Sequence, residues 1–222
     1  GRTRRISFNF IKTHIMAFVK ITEQPSLYDN LEKKSVLEIL QDINTEDQKV
    51  ALAVKKAIPQ IEKLINNGAD IIPVMSFNCY NLDFKGFSKQ IENITGKKII
   101  HTIEDAEPIG HRISTDIMAI IPCTGNTIGK LANGIIDTPV LVSAKTNLKS
   151  GNNLVIGVAT NDGLSIEAEN IGKLLKQKNV FFVPFRQDNP ITKPASLLFS
   201  SVYIRETIER AFQGEQIQPI LI

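Results

Sequence analysis

From residue 69 onward the chain alternates short apolar runs with helical periods. Runs rich in β-branched residues predict strands over Ile71–Phe77, Lys98–Ile103, Asp116–Ile121, Pro139–Ser143, Leu154–Ala159 and Val180–Phe185. Apolar positions spaced three and four apart predict helices over Gly86–Thr95, Thr127–Gly134 and Ile166–Gln177. A last helix, Tyr203–Phe212, has Gly214 placed to cap it. The runs IMAII, LVIGVA and VFFVPF carry no polar alternation. Strands of that kind are covered by helices on both faces, as in parallel sheets. The pattern predicts the α/β class, a three-layer αβα sandwich around a doubly wound, Rossmann-like parallel sheet.

The first 65 residues keep a different rhythm. Ile6–Phe10 (ISFNF) reads as a strand. Ser35 and Glu38 have the spacing of a capping box, and Val36, Ile39, Leu40 and Ile43 follow at helical intervals. Thr45 can cap a second helix whose apolar face runs through Val50, Val54, Ala57, Ile58 and Ile61, with Pro59 as a kink or restart. The chain therefore divides into a basic arm with a candidate first strand (1–15), an extra helical segment (16–65) and an α/β domain (66–222).

Charge changes this picture only at the N-terminus. Of a formal +3, Arg2, Arg4, Arg5 and Lys12 supply four positive charges in the first fifteen residues, leaving −1 for the rest. A basic arm on a neutral body is not a nucleic-acid-binding surface. Two cysteines in 222 residues make no disulfide framework and fit a reducing cytoplasm. No run of about 18 apolar residues predicts a membrane span. Asn9, Lys12, Thr13 and His14 interrupt the apolar stretch that a secretion signal needs. No metal-ligand spacing is present.

The candidate chemistry centres on IIPCTGNTIGK, where an apolar strand passes into a helix through small polar residues. Ligands of doubly wound sheets sit beyond the carboxyl ends of strands, and a helix N-terminus there offers free N–H groups. Thr124 and Thr127 can donate hydroxyls, Asn126 can donate and accept, and Gly125 allows a flat ring close to the backbone. A plain N-capped helix after a strand explains the same residues. Ser76, Phe77 and Asn78 follow the strand residues Ile71–Met75, and Ser143, Lys145 and Asn147 follow the strand residues Pro139–Val142 at the same edge. Arg186 after VFFVPF suits a carboxylate ligand or an ion pair with Asp188. Asn161-Asp162-Gly163 reads as a turn, and Cys123 as a packing residue rather than a nucleophile.

These residues resemble a known family. PCTGNTIGKLANGIID is similar to the Pro-Ala-Ser-Ala-Asn-Thr motif and following helix of flavoprotein decarboxylase-like proteins, with Pro122, Asn126, Thr127, Lys130, Gly134, Asp137 and the preceding Asp116 at matching places. The Cys-Thr-Gly form resembles the flavoprotein-like B subunits of dipicolinate synthase. IPQIEKLINNGADIIPVMSFN, ITGKKIIHTIEDAEPIG, VATNDGLS, KNVFFVPFRQDNPITKPAS and ETIERAFQGEQIQPILI extend that resemblance over about 58–222. It implies a sporulation oxidoreductase that converts dihydrodipicolinate to dipicolinate with a nicotinamide (NAD(P))-binding A subunit. It further implies an FMN site, a small dicarboxylate substrate and a homo-oligomer. It also implies that Thr13, Ser76, Phe77, Pro122, Thr124, Gly125, Asn126, Thr127 and Ser143 hold the cofactor, and that Lys145 and Arg186 hold substrate. The family's Thr-Gly-Ser phosphate loop is replaced by Ile11-Lys12-Thr13-His14, which keeps one hydroxyl and no glycine, so FMN binding is weakened. A non-catalytic binding or assembly subunit is the alternative. His111 lies near the catalytic histidine of decarboxylating relatives, but closer to Pro122, and reads first as a loop residue. Residues 16–65, with INTEDQKVALAV, resemble the N-terminus of N-acetylmuramic acid 6-phosphate etherase without its glycine-rich sugar-phosphate loop, so the chain reads as a chimera.

Overall fold

The computed structural model describes residues 35, 55, 57–81, 83, 86–110 and 112–222. The candidate strand Ile6–Phe10, Lys12, Thr13, His111 and the segment 16–54, apart from Ser35, lie outside the described residues.

Residues 57–66 form helix α1. Helices α2 (Phe77–Asn81), α3 (Phe87–Thr95) and α4 (Ile103–Ala106) follow. Then come strand β1 (Ile117–Cys123), α5 (Gly125–Ala132), α6 (Pro139–Lys149), β2 (Asn153–Thr160), α7 (Glu167–Leu175) and β3 (Val180–Phe182). A hairpin, β4 (Phe185–Asn189) and β5 (Lys193–Phe199), leads into the last helix, α8 (Ile204–Phe212).

Strand β2 is the centre. It pairs in parallel with β1, where Ile117 to Ile120 lie opposite Asn153 to Ile156, and with β3, where Leu154 to Ile156 lie opposite Val180 to Phe182. Leu154, Val155, Ile156 and Val158 are fully buried, as expected of a strand with no polar alternation. Alternate residues of a strand face opposite sides. Asn153 donates its amide to the Ala211 carbonyl of α8 at 2.5 Å, so Asn153, Val155, Gly157 and Ala159 face α8. Thr160 lies beside Gly125 of α5 and Glu167 of α7, so it faces those helices together with Leu154, Ile156 and Val158. These faces form the three layers of an αβα sandwich.

The α/β class and its parallel core match the sequence pattern, and the structure adds an antiparallel element. Beyond β3 the sheet is mixed: β5 runs antiparallel to the end of β2, with Ala159 opposite Leu198, and β4 pairs with β5. The predicted strand Val180–Phe185 is broken because Pro184 has no N–H to give a ladder, and the chain restarts as β4. Gln216 blocks the outer edge of β3. Its side chain accepts from Phe182 N–H and donates to Phe182 C=O, both at 2.7 Å, as a neighbouring strand would.

Three other expectations are corrected. Pro139–Ser143 is not a strand but the start of α6. Thr138 caps it by accepting from Leu141 N–H at 3.2 Å, and Pro139 at the first turn suits a helix. The runs Ile71–Phe77 and Lys98–Ile103 shrink to one parallel bridge between Val74 and Ile100, because Ser76 and Thr102 cap α2 and α4 there and end the extended backbone. Among the described residues no helix is long and apolar enough to cross a membrane.

Candidate functional site

The turn that joins β1 to α5 is built by its sequence. The apolar run of β1 ends at fully buried Cys123. Thr124 is extended (φ −78°, ψ 162°) and stands at the N-cap, yet its hydroxyl does not cap the helix. That hydroxyl lies 3.3 Å from the hydroxyl of Thr127. The first helical bond runs from Ile128 N–H to Thr124 C=O at 2.9 Å, so the N–H groups of the first turn remain open to a partner. Asn126 is exposed and Pro122, Thr124 and Thr127 are half-buried.

Gly125 differs from its expected role. A Cβ there would lie 2.7 Å from Thr160 Oγ1 and 3.3 Å from Glu167 Cγ. The close approach that glycine permits is made by this chain's own β2 and α7, not left for a ring. Gly129, one turn on, faces Glu167 and Asn170. Asn170 donates to Glu167 at 3.0 Å, Asn133 donates to Asn170 at 3.1 Å, and Lys173 donates to Asn133 at 3.1 Å. Sequence reading missed this polar seam between α5 and α7, for which the Gly125 and Gly129 spacing is the available signal. Burial pushes the Cys123 thiol far up, and the negative charge of Glu167 adds to the rise. Cys123 is thus a packing residue, as its sequence context suggests.

The other candidates stand on different elements. Ser76 accepts from Cys79 N–H at 3.3 Å and starts α2, while Phe77 is 60% exposed. Ser143 does not stand at a strand end. It is buried in α6, where its hydroxyl donates to Pro139 C=O at 2.8 Å. Lys145 is exposed on the same helix. Asn147 is wholly buried and ties the loop before β1 to β2, accepting from Thr115 at 3.2 Å and donating to Asn153 C=O at 2.9 Å. Arg186 is exposed on β4 opposite Leu198. Its expected ion pair with Asp188 is absent, because Asp188 pairs with Lys193 across the hairpin at 3.0 Å. Directly opposed residues share a face, so the line Ala159, Leu198, Arg186 puts Arg186 on the α8 side of the sheet. Strands β2 and β5 separate it from the β1 turn. Lys130 and Asp137, both in the motif, form an ion pair at 2.7 Å that closes α5 onto the following loop.

A family described as flavoprotein matches residues 50–200. The chain belongs to the flavoprotein family. Within it, this chain is 41% identical over 169 residues to the B subunit of dipicolinate synthase from Bacillus subtilis, covering 74% of this chain and 84% of that protein. The crystal structure of the corresponding B subunit of dipicolinate synthase from Bacillus halodurans superposes with a TM-score of 0.71 at 39% identity, over 76% of this chain and 89% of that one. A second similarity concerns another protein. N-acetylmuramic acid 6-phosphate etherase of Bacteroides fragilis is 66% identical over 67 residues, which is 30% of this chain and only 23% of the etherase. The flavoprotein-family chain thus carries two unrelated likenesses, as its sequence motifs indicate.

Proposed function

We propose that this chain acts as a B-type subunit of dipicolinate synthase. In this reading a nicotinamide-binding A subunit completes the enzyme, and dihydrodipicolinate is oxidised to dipicolinate in the cytoplasm during sporulation. The observation that carries the reading is the 41% identity to the B subunit of dipicolinate synthase over three quarters of the chain, with the turn Pro122–Thr127 inside the matched family region.

The turn fits the polar edge of a planar ligand. The open N–H groups of the first turn of α5 would meet ring carbonyls or a carboxylate, and the Thr124 and Thr127 hydroxyls and the Asn126 amide would fix its orientation. FMN, when bound, would supply hydride acceptance. In this reading Arg186, which β2 and β5 separate from the turn, comes to substrate through an oligomer or through the A subunit.

A second reading is favoured by two observations. The space beside Gly125 is filled by Thr160 and Glu167, which leaves less room for a flavin ring, and Ile11–His14 lacks a phosphate-loop glycine. In that reading the chain is a non-catalytic binding or assembly subunit. The visible absorption spectrum after FMN titration separates the two, and reconstitution with an A subunit tests the first.

A further inference from the structure

The chain holds two Asn-Gly dipeptides, Asn67-Gly68 and Asn133-Gly134. Both close a helix in the same way. At the end of α1, Gly68 N–H donates to Ile65 C=O at 2.8 Å and Ala69 N–H to Leu64 C=O at 3.1 Å. At the end of α5, Gly134 N–H donates to Leu131 C=O at 3.3 Å and Ile135 N–H to Lys130 C=O at 2.9 Å. Both glycines are left-handed, at φ 91° and 71°, and each pair of bonds makes a Schellman turn. Both asparagines are exposed. Their side chains differ. The Asn133 amide nitrogen donates to Gly129 C=O at 2.8 Å and to Asn170 Oδ1 at 3.1 Å, and its oxygen accepts from Lys173 Nζ at 3.1 Å. The Asn67 side chain makes no hydrogen bond among the described residues.

We propose that Asn67 is a site of spontaneous modification, where the side-chain amide becomes a carboxylate through a cyclic imide formed with Gly68. The Gly68 nitrogen leaves its bond to Ile65 when the helix end opens and attacks Cγ of Asn67. A nitrogen–carbon bond forms, and the bond from Cγ to the side-chain nitrogen breaks. That nitrogen departs as ammonia, taking the Gly68 proton. Water then adds to either imide carbonyl and opens the ring to aspartate or isoaspartate. The sum is amide plus water to acid plus ammonia, with no change of oxidation state. Glycine has no Cβ to hinder the attack, and nothing lies within 4 Å of where one would stand at Gly68 or Gly134. The backbone is thus equally open at both dipeptides, and the side chain decides. At Asn133 the amide must first turn away from Gly129, Asn170 and Lys173, whereas at Asn67 it turns freely. The new carboxylate stands at the negative end of α1, close in sequence to Asp70, which pairs with Lys97 at 2.5 Å.

The test holds the full native chain at mildly alkaline pH and body temperature and follows each dipeptide by peptide mass mapping. Methylation by an isoaspartate methyltransferase reports the isoaspartyl product. Asn67 should convert roughly tenfold or more faster than Asn133, since each hydrogen bond on the Asn133 amide slows its release. In urea, where both turns are lost, the two should convert at similar rates. Asn170→Ala and Lys173→Ala each remove a partner of the Asn133 amide. Each should speed conversion at Asn133 and leave Asn67 unchanged, in chains whose circular dichroism is that of the wild type. Equal rates in the native chain, faster conversion at Asn133, or an Asn67 that stays intact over a period that converts it in urea would overturn the proposal.

Discussion

Thr160 Oγ1 stands 2.7 Å from the point where a side chain at Gly125 would begin. This contact locks the end of β2 to the first turn of α5 and fixes the turn that carries the candidate site. Gly125→Ala should therefore destabilise the fold by about 1–3 kcal/mol through overpacking, read as a lower denaturation midpoint. Thr160→Ala in the same chain should recover part of the loss. Additive effects of the two changes would show that they do not meet.

The two cysteines should react differently. Cys79 is exposed and Cys123 is wholly buried, with its thiol pushed up by desolvation and by Glu167. Iodoacetamide at neutral pH, followed by peptide mass mapping, should modify Cys79 and spare Cys123 until the chain is unfolded. Equal labelling of the native chain would contradict the buried placement.

Glu92 anchors α3 to the segment that leads to His101. Its carboxylate accepts from Lys98 Nζ at 3.0 Å and from Ile99 N–H at 3.1 Å, and these bonds hold it below the ordinary carboxylate value of 4.5. A depressed folded-state value means that the stabilisation is fully present above 4.5 and is lost as pH falls through the lower folded value. Wild type and Glu92→Gln should thus differ in thermal midpoint at pH 7 and converge in acid. A difference that persists unchanged into acid would remove Glu92 from this role.

Asn126 offers the sharpest separation of binding from folding. Thr124 holds the N-cap position and Asn126 is an exposed residue of the first helical turn. Asn126→Ala should change stability by less than about 0.5 kcal/mol. Loss of a directional polar partner should weaken ligand binding roughly five- to 150-fold. Midpoint and affinity measured on one preparation decide the matter. A lowered midpoint beside unchanged affinity would make Asn126 structural.

Much of the fold is legible where the signal is local. The unbroken apolar run of β2 announces a buried parallel strand, that of β1 announces a parallel strand which is only partly buried, with Ala119 exposed, and the Thr124–Thr127 turn follows from its small residues. The misreadings come from competition between signals. Val140, Leu141 and Val142 look like a strand, but Thr138 and Pro139 start a helix that the later residues continue. Val180–Phe185 reads as one strand, but Pro184 breaks it and the chain restarts at Phe185 as β4, which β5 returns to pair with. The stack of the Tyr80 and His101 rings, the Glu92 anchor and the Thr160–Gly125 contact join residues that spacing does not relate, so the sequence pattern carries no trace of them.

The proposed role of this flavoprotein-family chain as the B component of a dipicolinate synthase is open to direct test. The most direct measurement is reconstitution. The chain is mixed with an A subunit, dihydrodipicolinate and a nicotinamide cofactor, and dipicolinate is quantified against each component on its own. Product is expected only with both components present, and at a reduced rate with Asn126→Ala. Product formation that is the same with and without this chain would contradict it.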